Sequence, residues 1–297
     1  MLLHFCRWII VLPIIFTSAF GQLNSVRTKV DSIVGSAKGM VGIAVIDLNK
    51  GDTLTVRGEE HFPMQSVYKL PLALAVLDQV DKGTMALTQN IHITKADLHP
   101  DTWSPLRERY SAKDVDLPLD SILMYTVSYS DNNACDILFR FLGGTAIVDQ
   151  YVRKLGIMSM AIVTTEEEMR QGWNVQYRNW SSPRATANLL QLFYKGKILS
   201  ERCRDYLWRL MVNSSTTPGR IKGLLPLGAV VPHKSGSSGT NDSGIAAATN
   251  DIGLIVFPDG RCVALVVFIT ESNASDEERD KVIATVARAI WDVYSIH

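Results

Sequence analysis

The stretch QSVYKLPLALAVLDQVDK, residues 65–82, predicts a helix over residues 67–82 that stops before Gly83. Apolar residues fall on nearly every face of this helix. That pattern is typical of a helix buried inside a domain, so only its start can meet solvent. Ser66 and Lys69 stand at that start, three positions apart, and therefore lie on one face. The stretch predicts a core helix that presents a serine and a lysine at one end.

Two further motifs contain the same residue types, SDN at residues 130–132 and KSG at residues 234–236. A serine hydroxyl is a poor nucleophile until a base takes its proton. A buried lysine can serve as that base, because burial disfavours its ammonium form. The start of a helix also offers backbone N–H groups to an oxyanion. Each short motif can arise by chance, and Ser66 alone could be an ordinary helix cap. The three together indicate nucleophilic catalysis.

S-x-x-K, S-D-N and K-[S/T]-G, in this order, are the motifs of serine β-lactamases and penicillin-binding proteins. Over essentially the whole sequence after residue 21, the chain resembles a class A serine β-lactamase. The resemblance implies that Ser66 is the acylated nucleophile and Lys69 its proton partner. It implies that Ser130 passes a proton to the lactam nitrogen, with Lys234 beside it as a positive charge.

The resemblance also implies which residues bind the substrate. Asn132 would hydrogen-bond the amide side chain of the substrate, and Ser235 its carboxylate. The oxyanion hole would consist of the backbone N–H groups of Ser66 and Ser237, the second on a strand predicted over residues 231–238.

Two more residues resemble family members at the cleft. Arg220 resembles the substitute, in one branch of class A, for the arginine that binds the substrate carboxylate. The alternative for Arg220 is a surface arginine. Trp103 resembles the aromatic residue at the rim of the cleft, and the alternative for it is a simple packing role.

The family also needs a glutamate that activates the water for hydrolysis of the acyl-enzyme. Residues 164–169, TTEEEM, supply three candidates. We choose Glu166, because T-E-x-x-M resembles this loop in the cephalosporin-hydrolysing, extended-spectrum branch of class A. The alternative, a solvated acidic run, is expected to hold for one or two of the three.

This loop departs from the commoner family pattern. Arg170 stands where an Asn usually helps to hold the water. Thr164 and Asn179 replace the usual Arg–Asp pair that closes the loop, and Asp136 replaces an Asn. These changes occur together in the extended-spectrum branch, so the resemblance implies a loop that is folded differently and is roomier.

The remaining sequence predicts an α+β fold of the β-lactamase/transpeptidase-like type. Its antiparallel sheet with flanking helices is built from both termini, and an all-α domain is inserted between them. The predicted strands lie at 42–48, 53–57, 244–257 and 262–269. The predicted helices lie at 119–129, 132–142, 145–155, 184–195, 200–212 and from Ser275 to the end, where a capping box begins the last helix. We expect an α/β domain of residues 22–62 and 214–297, an all-α domain of residues 63–213, and the active site in the cleft between them.

The first 21 residues are expected to be a secretory signal peptide. Arg7 precedes an apolar run from Trp8 to Phe16, and small residues lead to a cleavage site after Gly21. A membrane anchor is the alternative, but the run is short and Pro13 interrupts it. The sequence thus predicts export, most simply to the periplasm, with no stable membrane anchor after processing.

Composition and charge limit the classes of partner and cofactor that the sequence can be expected to bind. The 297 residues carry 30 basic and 30 acidic side chains, without a basic block, which argues against nucleic acid. No C-x-x-C or H-x-x-x-H motif occurs, so we expect no metal and no cofactor. Three of the four cysteines lie beyond the signal segment and are expected to be free and buried: Cys135, Cys203 and Cys262. A small-molecule β-lactam is the expected substrate, and a monomer the expected form.

The expected function is hydrolysis of β-lactam antibiotics, with cephalosporins preferred, which gives antibiotic resistance. Two rivals share the motifs. A penicillin-binding D,D-carboxypeptidase or transpeptidase lacks the deacylating glutamate, whereas Glu166 is present here. A non-catalytic β-lactam sensor domain needs a transmembrane helix, and the sequence offers no suitable span after the signal segment.

Overall fold

The computed structural model describes residues 19–295. The predicted signal peptide lies outside these residues except for its last three, which open the first helix, α1 (Ala19–Ile33). The strands are β1 (Met40–Asp47), β2 (Thr53–Val56), β3 (Phe62–Pro63), β4 (Asn90–Ile93), β5 (Val115–Pro118), β6 (Met160–Ala161), β7 (Trp180–Ser181), β8 (His233–Ser237), β9 (Thr249–Val256) and β10 (Cys262–Thr270).

The other α-helices are α2 (Lys69–Asp81), α3 (Pro105–Tyr110), α4 (Leu119–Ser128), α5 (Asn132–Leu142), α6 (Thr145–Lys154), α7 (Glu166–Met169), α8 (Pro183–Tyr194), α9 (Glu201–Val212) and α10 (Asp276–Tyr294). Short 3₁₀ helices occupy Val34–Ala37, Gln65–Tyr68, Lys95–Asp97 and Trp173–Arg178.

Among the described residues, the main sheet has five strands in the order β2-β1-β10-β9-β8. All neighbouring pairs are antiparallel, so N-terminal and C-terminal strands interleave as the sequence predicts. Every residue of β10, CVALVVFIT, is buried, because both faces of the sheet are covered.

Alternate residues of the central strands enter two different cores. On β10, Val267 packs with α1 and α10 on one face, while Val266 and Phe268 pack with the helical part of the chain on the other. This alternation follows from the two-residue period of a strand. At one edge of the sheet, β8 contacts the 3₁₀ turn Gln65–Tyr68 that precedes α2.

Most predicted helices are present with nearly the predicted bounds, and the capping box of α10 is formed between Ser275 and Glu278. The helix predicted over residues 67–82 begins instead as the 3₁₀ turn Gln65–Tyr68 and continues as α2. The glycine that follows α2, Gly83, has a positive φ of 74°, which ends the helix.

The strand predicted over residues 244–257 is wrong at its start, because β9 begins only at Thr249. The side-chain oxygen Oδ1 of Asn241 accepts the backbone N–H groups of Ser243 (3.0 Å) and Ile245 (2.9 Å). These bonds hold a local turn in place of an extended strand. The predicted strand over 231–238 is likewise shorter, His233–Ser237. The division of the chain into domains at residues 62/63 and 213/214 stays a prediction.

Candidate active site

Ser66 lies in the 3₁₀ turn immediately before α2, and Lys69 is the first residue of that helix. Gln65 has a positive φ of 47°, an uncommon conformation for a residue with a side chain. This turn presents the Ser66 hydroxyl to the cleft, whereas the Lys69 side chain is fully buried. Lys69 Nζ donates to Ser66 Oγ over 3.0 Å. The predicted nucleophile and its partner are therefore in direct contact.

The Lys69 ammonium group is a junction of the site. Besides Ser66, Nζ lies 2.9 Å from the backbone oxygen of Ser130, 2.5 Å from Asn132 Oδ1 and 2.9 Å from Glu166 Oε1. A fully buried cation is tolerated when it is paired and hydrogen-bonded. Lys69 thus ties the first motif to the second and to the acidic loop.

Ser130 and Lys234 form the second contact between motifs. Lys234 Nζ donates to Ser130 Oγ over 2.8 Å and to the backbone oxygen of Ser235 over 3.0 Å. Burial, together with the nearby Lys69 charge, lowers the pKa of Lys234 to about 7. Ser130 itself has a positive φ of 56°. Local strain of this kind tends to collect at functional sites, where the surrounding structure holds it.

Asp131 holds the loop that carries the second motif. Its buried carboxylate accepts from Ser104 Oγ, from the backbone N–H of Leu106 over 2.7 Å and from that of Ala134 over 2.8 Å. The last of these bonds caps α5. Asp131 is fully buried and is not among the residues that line the cleft, so its carboxylate braces the loop.

Of the three consecutive glutamates, Glu166 alone is buried, and its carboxylate meets Lys69. Glu168 instead completes the capping box of α7 with Thr165, and Glu167 is exposed. The structure therefore distinguishes Glu166 from its two neighbours by position.

Asp136 holds the backbone of this acidic loop. Its two carboxylate oxygens accept the backbone N–H groups of Glu166 (2.8 Å) and Glu167 (2.9 Å). Burial, and then the charge of Glu166, raise the pKa of Asp136 to about 7. A carboxylate fits this position because it offers an acceptor to each of the two donors. The sequence showed Asp136 as a departure from the family pattern but did not show this function.

The loop is closed by an amide where the commoner family pattern has an ion pair. Asn179 Oδ1 accepts the backbone N–H groups of Val163 (2.8 Å) and Thr164 (2.9 Å), and its Nδ2 donates to the backbone oxygen of Thr164 over 2.8 Å. Gln176 Oε1 accepts from Gln65 Nε2 over 2.6 Å, which joins the loop to the turn that carries Ser66. The loop is thus held without the Arg–Asp pair.

The opposite wall of the cleft is β8. Its middle comes very close to the Ser66 turn, since a Cβ added to Gly236 would lie 2.5 Å from Met64 O and 3.0 Å from the Ser66 backbone nitrogen. Only glycine permits this approach. It places the backbone of β8 at Gly236 beside the backbone of Ser66. The oxyanion hole of the Ser66 and Ser237 N–H groups stays a prediction.

Arg220 is almost fully buried behind β8, not in the open cleft. Its Nη2 donates to Ser237 Oγ over 2.7 Å, and its Nε pairs with Asp280 Oδ1 at 2.7 Å. Nη1 donates to the backbone oxygens of Gly236 (3.0 Å) and Asn250 (2.8 Å). Arg220 reaches the cleft through Ser237.

Trp103 lies at the rim of the cleft, 58% exposed, and its Nε1 donates to the backbone oxygen of Tyr129 over 2.9 Å. The cleft encloses about 310 Å³. Its lining residues are Ser66, Trp103, Ser130, Asn132, Thr216, Thr217, Ser235, Gly236 and Ser237. The threonine pair was not singled out from the sequence, where no motif marks it.

Other expectations concern metals, thiols and the membrane. Within residues 19–295, no cluster of three His, Cys, Asp or Glu side chains is arranged to hold a metal ion. Cys135, Cys203 and Cys262 are free and buried. No helix in the described part of the chain is both long and apolar enough to cross a membrane.

Comparison with known proteins gives one family for nearly the whole chain. Residues 25–294 match the model of the beta-lactamase enzyme family. The chain is 39% identical over 290 residues to Beta-lactamase VEB-1 of Pseudomonas aeruginosa, covering 96% of each protein. It is 41% identical over 275 residues to Extended-spectrum beta-lactamase PER-1 of the same species, covering 93% of this chain and 88% of that protein. The crystal structure of a beta-lactamase from Chitinophaga pinensis DSM 2588 shares 52% identity with a TM-score of 0.90, over 91% of this chain and 100% of that one.

The chain therefore belongs to the class A serine β-lactamases. Within that class it falls in the extended-spectrum branch. The predicted fold class and family are confirmed, and the protein is a β-lactam hydrolase of the kind that gives antibiotic resistance.

Proposed function

We propose that this enzyme opens the β-lactam ring through an acyl-enzyme on Ser66, and that a water activated by Glu166 then hydrolyses that ester. Cephalosporins are the preferred substrates in this proposal. The observation that carries it is the position of Lys69 Nζ, 3.0 Å from Ser66 Oγ and 2.9 Å from Glu166 Oε1. Lys69 thereby connects the proposed nucleophile, Ser66, to the proposed carboxylate base, Glu166, through two direct contacts.

In the acylation step, Lys69 first gives a proton to Glu166, and the neutral amine then takes the Ser66 proton as Oγ attacks the lactam carbonyl. The backbone N–H groups of Ser66 and Ser237 face the developing oxyanion, which is the arrangement that stabilises such a transition state most. Glycine at 236 supports this role, because it lets the two backbones approach.

The leaving lactam nitrogen needs a proton as the C–N bond breaks. Ser130 can supply it, since its oxygen accepts from Lys234 Nζ at 2.8 Å and its own proton is left free to face the substrate. The Lys234 charge also stabilises negative charge that develops on Ser130 as it gives up that proton. This is general acid catalysis through a hydroxyl.

Before deacylation, the proton held by Glu166 returns through Lys69 to replace the one that Ser130 gave up, so Glu166 is again a carboxylate. It then takes a proton from the water that attacks the ester on Ser66, and this proton passes to Ser66 Oγ as the ester bond breaks. Glu166 is buried beside Lys69, while its backbone N–H is fixed by Asp136 over 2.8 Å. A base held in this way is preorganised relative to the acyl carbonyl.

The preference for cephalosporins is supported by the loop around Glu166. Thr164 and Asn179 close this loop through neutral hydrogen bonds, as described above. The relative PER-1 bears the name extended-spectrum beta-lactamase. The preference is measured as the ratio of kcat/KM for one cephalosporin and one penicillin that carry the same amide side chain.

The experiment that tests the mechanism is intact-mass spectrometry after mixing the purified enzyme with a chromogenic cephalosporin. Glu166→Ala should accumulate a covalent adduct on Ser66, and the matched controls Glu167→Ala and Glu168→Ala should turn over normally. Ser66→Ala should lose at least about a thousandfold in kcat without forming an adduct. An adduct trapped by Glu167→Ala or Glu168→Ala instead would move the base to that residue.

We further propose that the enzyme works as an exported, periplasmic monomer. Each side chain named in the cleft belongs to the same chain, so one copy can provide the site. Sedimentation of the purified protein and fractionation of expressing cells test the two statements.

A further inference from the structure

The cleft wall that faces the substrate carboxylate is built from hydroxyl groups. Among the lining residues within 19–295, none carries a formal charge. The cations nearby are buried behind the wall, with Lys234 fully buried and Arg220 5% exposed. An anionic substrate therefore meets O–H donors first, and the direction in which each hydroxyl proton points decides whether it can bind an anion.

Two of these hydroxyls have that direction fixed by a cation. Ser130 Oγ accepts from Lys234 Nζ at 2.8 Å, and Ser237 Oγ accepts from Arg220 Nη2 at 2.7 Å. A serine oxygen carries one proton and two lone pairs. Because a donor occupies the rear lone pair, the proton of each serine is available on the side of the cleft.

Ser235 lacks such a cation. Lys234 Nζ donates to the backbone oxygen of Ser235, not to its hydroxyl. Within the described residues, the hydroxyl partner of Ser235 is Thr216, whose Oγ1 lies 3.1 Å from Ser235 Oγ. Thr216 Oγ1 in turn lies 3.3 Å from Ser214 Oγ. Three hydroxyls thus form a row that ends at the cleft.

The hydrogen bonds of this row can be oriented in either of two directions, because each hydroxyl can donate or accept. If Ser235 donates to Thr216, Ser235 turns only lone pairs toward an anion, which is repulsive. If Ser214 donates to Thr216 and Thr216 donates to Ser235, the Ser235 proton faces the anion. Hydrogen bonds that follow one another in this way polarise and strengthen each other.

The backbone keeps Thr216 at this position. The neighbouring residue Ser215 donates its backbone N–H to the backbone oxygen of Ser128 over 3.1 Å, which joins this segment to the end of α4. Thr217 then turns the chain with a φ of 50°. A β-branched residue in that conformation is a genuine outlier, so the surrounding structure must hold this turn.

We infer that Thr216, backed by Ser214, is a positioning residue that directs the Ser235 hydroxyl proton toward the carboxylate of the β-lactam. The inference rests on the proposed function, in which Ser235 binds that carboxylate. It assigns to Thr216 a part of the selectivity for anionic substrates.

The test compares a cephalosporin with the methyl ester of the same compound, which lacks the negative charge. Thr216→Val keeps the shape of the side chain and removes the hydroxyl. It should lower kcat/KM for the acid about three- to tenfold, the effect of one lost hydrogen bond, and leave the ester within about twofold. Thr216→Ser should restore the value for the acid.

A double-mutant cycle separates positioning from a general structural role. In a Ser235→Ala background, Thr216→Val should cost little more for the acid, because the proton that it directs is gone. Additive losses, or equal losses on acid and ester, would overturn the inference, as would wild-type kinetics in Thr216→Val.

Ser214→Ala, at the far end of the row, gives a second variant that does not depend on the folding of Thr216→Val. It should also lower kcat/KM for the acid more than for the ester, by a smaller factor than Thr216→Val does. Kinetics unchanged from wild type would contradict the proposed row of hydroxyl groups. If the wild-type enzyme hydrolysed neither compound, the proposed function itself would fail, which is a different result.

Discussion

One carboxylate oxygen of Asp136 accepts the backbone N–H of Glu166 over 2.8 Å, and the other accepts the backbone N–H of Glu167 over 2.9 Å. A residue on α5 thereby fixes the peptide that carries the proposed base. The two N–H donors stabilise a second acidic side chain beside Glu166. Burial and the charge of Glu166 nevertheless raise the pKa of Asp136 to about 7.

Asp136→Asn should slow deacylation. Asparagine offers one acceptor and turns an N–H₂ donor toward the other backbone N–H, so a bond is lost and two donors face each other. We expect kcat to fall up to about tenfold, since the loss of one hydrogen bond costs about 0.5–1.5 kcal/mol. Accumulated acyl-enzyme, seen by intact mass at steady state, would locate the slow step. Unchanged kcat would show that the Glu166 peptide is held by other contacts.

The same substitution should change the pH dependence of stability. The pKa of Asp136 is raised from its ordinary value of 3.8 to about 7 in the folded protein. Its contribution is therefore most favourable below about pH 4 and is lost as pH rises toward 7. Melting temperatures of wild type and Asp136→Asn, measured between pH 4 and pH 7, should show the wild type losing stability relative to the variant. Parallel curves would contradict the raised pKa.

Lys234 should make substrate capture sensitive to alkaline pH. Burial lowers its pKa to about 7, so the free enzyme loses this charge as pH rises above that value. For an anionic cephalosporin, kcat/KM should decline above about pH 7, because it reports the free enzyme. Lys234→Arg is the matched variant, since arginine stays charged, and its kcat/KM should stay level over the same range. A decline of equal size in Lys234→Arg would assign the titration to another group.

Gly236→Ala should impair catalysis by moving β8 away from Ser66. The added Cβ would lie 2.5 Å from Met64 O, a backbone atom that cannot turn aside. A displacement near 1 Å at an active site can cost about 100-fold in rate, and we expect kcat/KM to fall by that order. Gly239→Ala is the control, because no atom lies within 4 Å of its added Cβ. Normal kinetics in Gly236→Ala would mean that the two backbones need not approach.

Arg220→Ala should weaken substrate capture through Ser237. The guanidinium donates to Ser237 Oγ and also pairs with Asp280, so its removal should lower both kcat/KM, by about 10- to 100-fold, and thermal stability. Ser237→Ala added to Arg220→Ala should cost much less than Ser237→Ala alone, as expected for residues that act together. Independent effects in the double variant would favour a direct contact of Arg220 with the substrate. Steady-state kinetics on one cephalosporin and a thermal melt give all these values.

Local sequence determined most of the secondary structure. The helices from α4 to α6 and the pair α8 and α9 follow from their apolar spacing, with a glycine shortly after α5, α6 and α8, and α10 follows from its capping box. Short segments were missed, among them the six-residue α3 and the hairpin of the four-residue strands β4 and β5. Their stability comes from side chains distant in sequence, as with Ser104 at the start of α3, whose hydroxyl contacts Asp131.

The sequence by itself determined the family, the fold class and the residue types of the site. The reason is that the three motifs and the order of strands and helices can be read directly along the chain, without knowledge of tertiary contacts. Only the tertiary structure decided which of three adjacent glutamates meets Lys69, that Arg220 lies behind Ser237, and that Thr216 lies beside Ser235. The physical reason is that burial and hydrogen-bond direction depend on segments far apart in the chain. Residue 136 lies 30 positions from the peptide that it fixes, and residue 216 lies 19 positions from the hydroxyl that it contacts.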